Sequence, residues 1–142
     1  MLECYAFEKL EFPDPAFGSS IHTSYLITMH GSERAYMHQL TRHRPTATVF
    51  VVHNRGFCEC AKDGVTNSAQ DLWHANRVIM EHAAGADEPI LILEDDVEFT
   101  DDFRARAPEI GRFVVQTPAV QCYNLGGIPL LGVAAGHGPL RA

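Results

Sequence analysis

The sequence predicts an α/β domain with a largely parallel sheet and helices covering its faces. Two observations carry that expectation. Apolar or β-branched runs at residues 24–29, 47–52 and 89–93 read as buried strands, and apolar residues at helical spacing fill the intervals between them. Strand and helix alternate three times, which requires βαβ crossovers and places helices against the sheet. The 142 residues fit one domain with a real hydrophobic core.

Residues 1–22 contain Pro13, Pro15, Gly18, Ser19 and Ser20 and show no sustained period, so they predict an N-terminal arm with one short strand at 4–7. After the strand at 24–29, His30-Gly31-Ser32 turns the chain. Ser32 caps a helix over 33–43, with Tyr36, Met37 and Leu40 inward. The 47–52 strand leads into a polar loop over 53–65. Asn67 or Ser68 then caps a helix that Gly85 ends, with Leu72, Ala75, Ile79 and the Trp73/Met80 pair as its apolar positions. Residues 89–93 form the third strand, with 90–93 buried on both faces. Thr100 caps a further helix that Pro108 ends or kinks, and 120–125 reads as a fourth strand. The domain then spans 23–131, with a small-residue tail over 132–142.

Charge is unevenly distributed. Eight acidic residues and no basic one lie between Asp87 and Asp102; with those eight set aside, the net charge of -7 becomes +1. No basic face remains for general nucleic-acid binding. No stretch approaches a membrane span and the first residues lack a signal-peptide layout, so a cytosolic setting is the default. The four cysteines, Cys4, Cys58, Cys60 and Cys122, permit disulfides by their even count, but nothing suggests a secreted scaffold, and the Cys58/Cys60 pair reads as reduced thiols in a loop. Cys58, Cys60 and His53 lack the ligand spacing of a zinc site.

The acidity peaks at Glu94-Asp95-Asp96-Val97-Glu98, directly after the third strand. The carboxyl end of a strand is where open α/β sheets bind ligands. Adjacent carboxylates there repel one another unless a cation sits among them, and hard oxygen donors suit Mg²⁺ or Mn²⁺ gripping phosphate oxygens. Alternation along a regular strand puts Glu94 and Asp96 on one face and Asp95 on the other.

The helix segment Thr66-Asn67-Ser68-Ala69-Gln70-Asp71-Leu72-Trp73-His74-Ala75, followed by Ile90-Leu91-Ile92-Leu93-Glu94-Asp95-Asp96-Val97-Glu98-Phe99, resembles nucleotide-sugar glycosyltransferases. The likeness is to the group of bacterial lipooligosaccharide glycosyltransferases, collagen-type galactosyltransferases and glycosyltransferases of large algal viruses. The viral members are most similar, through Asn124-Leu125-Gly126-Gly127-Ile128-Pro129-Leu130. The resemblance spans about residues 24–131 and implies a Rossmann-like glycosyltransferase A-type fold, a UDP-sugar donor, and Mn²⁺ or Mg²⁺. It implies Glu94, Asp95 and Asp96 as metal ligands, Thr28, Met29 and His30 as base-pocket residues, and Gln70, Asp71 and His74 as nucleoside contacts. A glycan or glycoprotein hydroxyl would be the acceptor, and a viral origin would place the chain in host cytoplasm. The chain is shorter than full catalytic domains of this type, and no residue stands out as the catalytic base.

Plainer readings accompany these assignments. Asp71 lies in the first turn of its helix, where the macrodipole alone favours an acid. His74 reads equally as a surface or core histidine, and Trp73 as a packing residue rather than a sugar platform. Arg34 and Arg55 rank low as diphosphate contacts, and His22, His30, His43 and His53 offer no metal spacing. The competing functions are a non-catalytic nucleotide-sugar-binding remnant and a phosphotransfer or receiver-type domain. The latter would want an acidic nucleophile after the first strand, where Thr28-Met29-His30 offers none.

Overall fold

The computed structural model describes residues 2–36 and 38–118, together with Cys122 and Leu125. Four strands form one sheet: β1 (Tyr5–Glu11), β2 (Thr23–Met29), β3 (Thr48–Asn54) and β4 (Ile90–Glu94), in the order β1-β3-β2-β4. β2 pairs in parallel with both β3 and β4, whereas β1 runs antiparallel to β3 from Tyr5↔Asn54 to Glu11↔Thr48. The α/β class and the parallel centre agree with the sequence expectation, and the sheet as a whole is mixed.

Alternation sorts the strand side chains between two faces. On the first face Tyr5, Tyr25, Ile27 and Val52 pack with Ala75 and Ile79 of α2 (Ser68–Ala83). On the second, Leu26, Val49, Val51 and Leu93 pack with Ala35 and Leu40, from a 3₁₀ turn (Arg34–Tyr36) and α1 (His38–His43). A smaller cluster joins Ala107 of α3 (Phe103–Gln116) to Ala16, Phe17 and Ile21. Asn67 caps α2 as expected, its side chain accepting from Gln70 N–H at 2.9 Å, and Gly85 takes the positive φ of 93° beyond the helix end.

Several expectations are corrected. The N-terminal stretch is not merely an arm, because a full seven-residue edge strand lies within it. Its charged Glu8, Lys9 and Glu11 suit an edge, where charge discourages pairing with another chain. The helix over 33–43 divides into the 3₁₀ turn and α1, with Ala35 and Leu40 inward and Tyr36 outward; Met37 is outside the described residues. Trp73 and Met80 do not pack: they are 67% and 59% exposed, seven residues apart on the outer face of α2. β4 is only partly buried before Leu93, since β2 is its one strand neighbour among the described residues.

Helix α3 starts after Asp102 rather than Thr100, whose hydroxyl instead donates to Asp102 Oδ1 at 2.7 Å. It also continues through Pro108. Phe103, Ala107 and Ile110 pack on one side against the Phe17 cluster, and this outweighs a local proline cost of about 3 kcal/mol. Gly111 permits that approach, because a β-carbon there would collide with the Ser20 side chain. The strand expected over 120–125 and the tail over 132–142 fall outside the described residues, apart from Cys122 and Leu125.

Cys4 and Cys60 form a disulfide, with Cα atoms 5.7 Å apart, and Cys58 is free and exposed. The expectation of a reduced thiol therefore fails for Cys60, and Cys60 is withdrawn from any zinc set. Such bonds persist in oxidising compartments and are rare in the cytosol. Among the described residues no helix is long and apolar enough to cross a membrane.

Candidate metal–phosphate site at the carboxyl edge of the sheet

The chain leaves β2 for β3 on one side and returns from β3 to β4 on the other. The carboxyl ends of β2 and β4 therefore flank the point where the connections diverge, the usual ligand crevice of an open α/β sheet. Asp95 occupies this point. Its N–H donates to Ile27 O at 3.1 Å, extending the β2–β4 ladder by one residue. The buried Thr28 hydroxyl donates to Asp95 Oδ2 at 2.8 Å, and Arg34 Nη1 lies 3.9 Å from Oδ1. The Asp95 side chain is 16% exposed, so this carboxylate is held rather than freely solvated.

Glu94 and Asp96 are both exposed beside it. The Glu94 carboxyl is held above its ordinary value of 4.5, first by partial burial and then by the charges of Asp96 and Asp95. A cation would relieve that repulsion. No group of three or more His, Cys, Asp or Glu side chains converges as a metal cage among the described residues. Mg²⁺ bound with a nucleotide needs no such cage, since one or two carboxylates and the substrate phosphates suffice. Asp95 with one acidic neighbour fits that arrangement.

Of the residues expected to line a base pocket, Thr28 is committed to Asp95. Met29 is half exposed and lies across Gly56, where a β-carbon would meet its Cε at 3.0 Å. His30 is exposed, and its N–H donates to Asn54 O at 2.9 Å. Met29 and His30 thus follow Thr28 at the carboxyl end of β2, with Met29 on the Tyr25/Ile27 face by alternation.

The expected nucleoside contacts lie elsewhere, on the α2 side of the sheet. Asp71 is buried, paired with the ammonium of Lys62 and accepting from Asn54 Nδ2 at 3.1 Å. Lys62 also donates to Asn54 Oδ1 and Arg55 O, each at 2.6 Å, and sits 4.8 Å from the centre of the Tyr5 ring. His74 is buried too, with Nδ1 2.7 Å from the Tyr5 hydroxyl and the two rings stacked. Burial first, then the charges of Lys62 and Arg77, hold His74 below its ordinary value. Both side chains are thus occupied by protein partners. Gln70 is exposed, and its carbonyl oxygen accepts from Thr66 N–H at 2.8 Å and the Thr66 hydroxyl at 2.9 Å. Gln70, Trp73 and His74 share the lining of a cavity of about 300 Å³ with Asp63, Val65 and Arg77.

Sequence reasoning passed over a second group near Asp95. In the β2–β3 register His53 stands opposite Thr28, on the same face as Val51 and Leu26. Glu8 of β1 reaches it diagonally, because Ala6 is the direct partner of His53. Tyr36 covers both: its hydroxyl donates to Glu8 Oε1 and lies 2.9 Å from His53 Nε2, which is 3.1 Å from the same Glu8 oxygen. The hydrogen bonds from Tyr36 and His53 lower the Glu8 value, and the Tyr36 phenol is pushed up to about 12 by partial burial and by Glu8. The available signal was the apolar alternation of Tyr5 and Phe7, which marks β1 as a strand and brings Glu8 to this face.

Comparison with protein-family models, curated proteins and solved structures finds no match to this chain.

Proposed function

We propose that this domain is a metal-dependent glycosyltransferase that moves a sugar from a UDP-type donor to an acceptor hydroxyl. The observation that carries the reading is the Asp95 carboxylate, anchored by Thr28 at the switch point of the parallel strands. The resemblance of residues 66–75 and 90–99 to nucleotide-sugar enzymes supports it. Asp95, with Asp96 or Glu94, would hold Mn²⁺ or Mg²⁺ against the donor diphosphate. Bound there, the ion supplies Lewis-acid neutralisation of charge on the departing diphosphate. Thr28 fixes the Asp95 carboxylate by its hydrogen bond, so the ligand needs no reorientation when the donor arrives. Arg34 offers a guanidinium at the same rim to the phosphate oxygens. Met29 and His30 are the exposed groups available to the nucleoside, whereas Asp71 and His74 serve the fold.

Calorimetric titration of UDP in the presence and absence of Mn²⁺ tests the reading. Saturable, Mn²⁺-dependent binding is expected, with a loss of tenfold or more in an Asp95→Ala/Asp96→Ala variant. Unchanged binding in that variant, or no metal dependence, would sink the proposal. Binding without turnover on any acceptor would instead identify a donor-binding remnant.

A further inference from the structure

We infer that His53 is the base that accepts the acceptor hydroxyl's proton, with Glu8 and Tyr36 as its positioning residues; this rests on the transferase reading above. His53, Thr28 and Asp95 form a row across the carboxyl rim on one face of the sheet. Two strand spacings separate His53 from Asp95, about 10 Å of backbone, room for a sugar ring between the donor phosphate and the base.

The hydrogen bonds assign Nε2 as the ring's donor. Tyr36 O–H donates to the Glu8 carboxylate, so the neutral imidazole satisfies both neighbours by donating from Nε2. That leaves the Nδ1 lone pair as the basic site. Nδ1 has no partner among the described residues. The His53 side chain is 18% exposed, and Nδ1 is not among the buried polar atoms left without a partner there. Among the described residues, the titratable groups facing the ring are Glu8 from β1 and Tyr36 from the 3₁₀ turn. The β2 neighbour, Thr28, carries no charge.

In the step, a lone pair of the acceptor hydroxyl oxygen forms the new bond to the anomeric carbon. The bond from that carbon to the phosphate oxygen breaks, and its electron pair leaves with the diphosphate. The hydroxyl proton passes to His53 Nδ1. The resulting imidazolium is stabilised by its Glu8 contact and later returns the proton to water. A carboxylate on the far nitrogen of a basic imidazole is a general device for orienting the ring and stabilising its cation.

The test uses the full chain with Mn²⁺ and UDP-glucose or UDP-galactose, reading UDP release to water across pH alongside UDP binding. His53→Gln is expected to bind UDP within about twofold of the unaltered chain, to lose about 100-fold or more in turnover, and to abolish the acid limb of the pH–rate profile. Glu8→Gln should lower kcat about tenfold while KM for the donor and UDP binding stay within about twofold, since the ring loses the carboxylate that orients it. A merely structural role for the cluster predicts altered folding or binding with no selective loss of kcat. Turnover within threefold in His53→Gln, or an unchanged kcat in Glu8→Gln, overturns the inference. Metal-dependent UDP binding without release by the unaltered chain overturns the base alone. No binding overturns the transferase reading with it.

Discussion

Lys62→Met is the most informative perturbation of the fold, because it asks whether Asp71 belongs to the structure or to a ligand. The Lys62 side chain is 0% exposed, and its three N–H donors meet three acceptors: Asp71 Oδ1, Asn54 Oδ1 and Arg55 O. Methionine fills most of the same space, so little cavity cost arises. What remains is a buried carboxylate with a single N–H from Asn54. Removing one member of a buried pair costs about 3–5 kcal/mol, a large share of a typical stability of about 5–15 kcal/mol. Replacing both, as in Lys62→Met/Asp71→Leu, removes both charges and leaves chiefly unsatisfied amide and carbonyl groups, about 1–3 kcal/mol. The double variant should therefore be no less stable than the single one, with a coupling of about 3 kcal/mol or more. Urea denaturation followed by far-ultraviolet circular dichroism is the suitable assay, since the single tryptophan is already 67% exposed in the folded state. Additive single and double losses, or a Lys62→Met cost below about 1 kcal/mol, would refute the claim that this pair is structural.

Three further outcomes are expected. Reducing Cys4–Cys60, which are 56 positions apart in sequence, should lower stability by up to about 4 kcal/mol through loop-closure entropy; equal urea midpoints with and without dithiothreitol would contradict this. His74 has its folded value below the ordinary 6.5, so its contribution is present above that value and is lost as pH falls through the folded value. His74→Gln should flatten the stability–pH slope just below 6.5 without changing the acid limb set by carboxylates, as read from urea midpoints across pH. Glu94 has the opposite sense: its folded value is raised, so its contribution is present at low pH and is lost as pH rises through that folded value. Glu94→Gln should therefore raise Tm of the metal-free chain at neutral pH and reduce the Tm gain on adding Mn²⁺, and a lowered Tm would count against the crowded acidic site.

The central parallel strands were legible because the runs at 24–29, 47–52 and 90–93 are apolar or β-branched and short. The caps of α2 were legible because Asn67 and Gly85 act locally. β1 was harder to read: only one face of an edge strand is well covered, and Glu8 and Lys9 interrupt the pattern that Tyr5 and Phe7 begin. The helix over 33–43 was overextended because Tyr36, an aromatic at a nominally inward position, is drawn outward by Glu8 and His53 across the sheet rim. Asp71 and His74 were ambiguous for a different reason. An acid and a histidine three positions apart on a helix suit a ligand or a buried network equally well. The deciding partners, Lys62 and Tyr5, come from a polar loop and from the strand that sequence reasoning shortened.

That shortened strand alters where the site sits. With the domain taken to begin at residue 23, chemistry would depend on β2, β4 and the helix α2, and the helix would supply the nucleoside contacts. Pairing β1 antiparallel to β3 fills the α2 side of the rim with Tyr5, stacked on His74 and beside Lys62. It also carries Glu8 to the opposite side, against His53. One strand thus occupies the α2-side polar groups with protein partners and extends the polar row on the Asp95 side. Under the proposed transferase reading, donor and acceptor would share the face bounded by Arg34 and Tyr36, while the α2 face is held by a buried ion pair and a disulfide. Asp95, with one oxygen held by Thr28 and the other 3.9 Å from Arg34, lies at the centre of the face that Arg34 and Tyr36 bound.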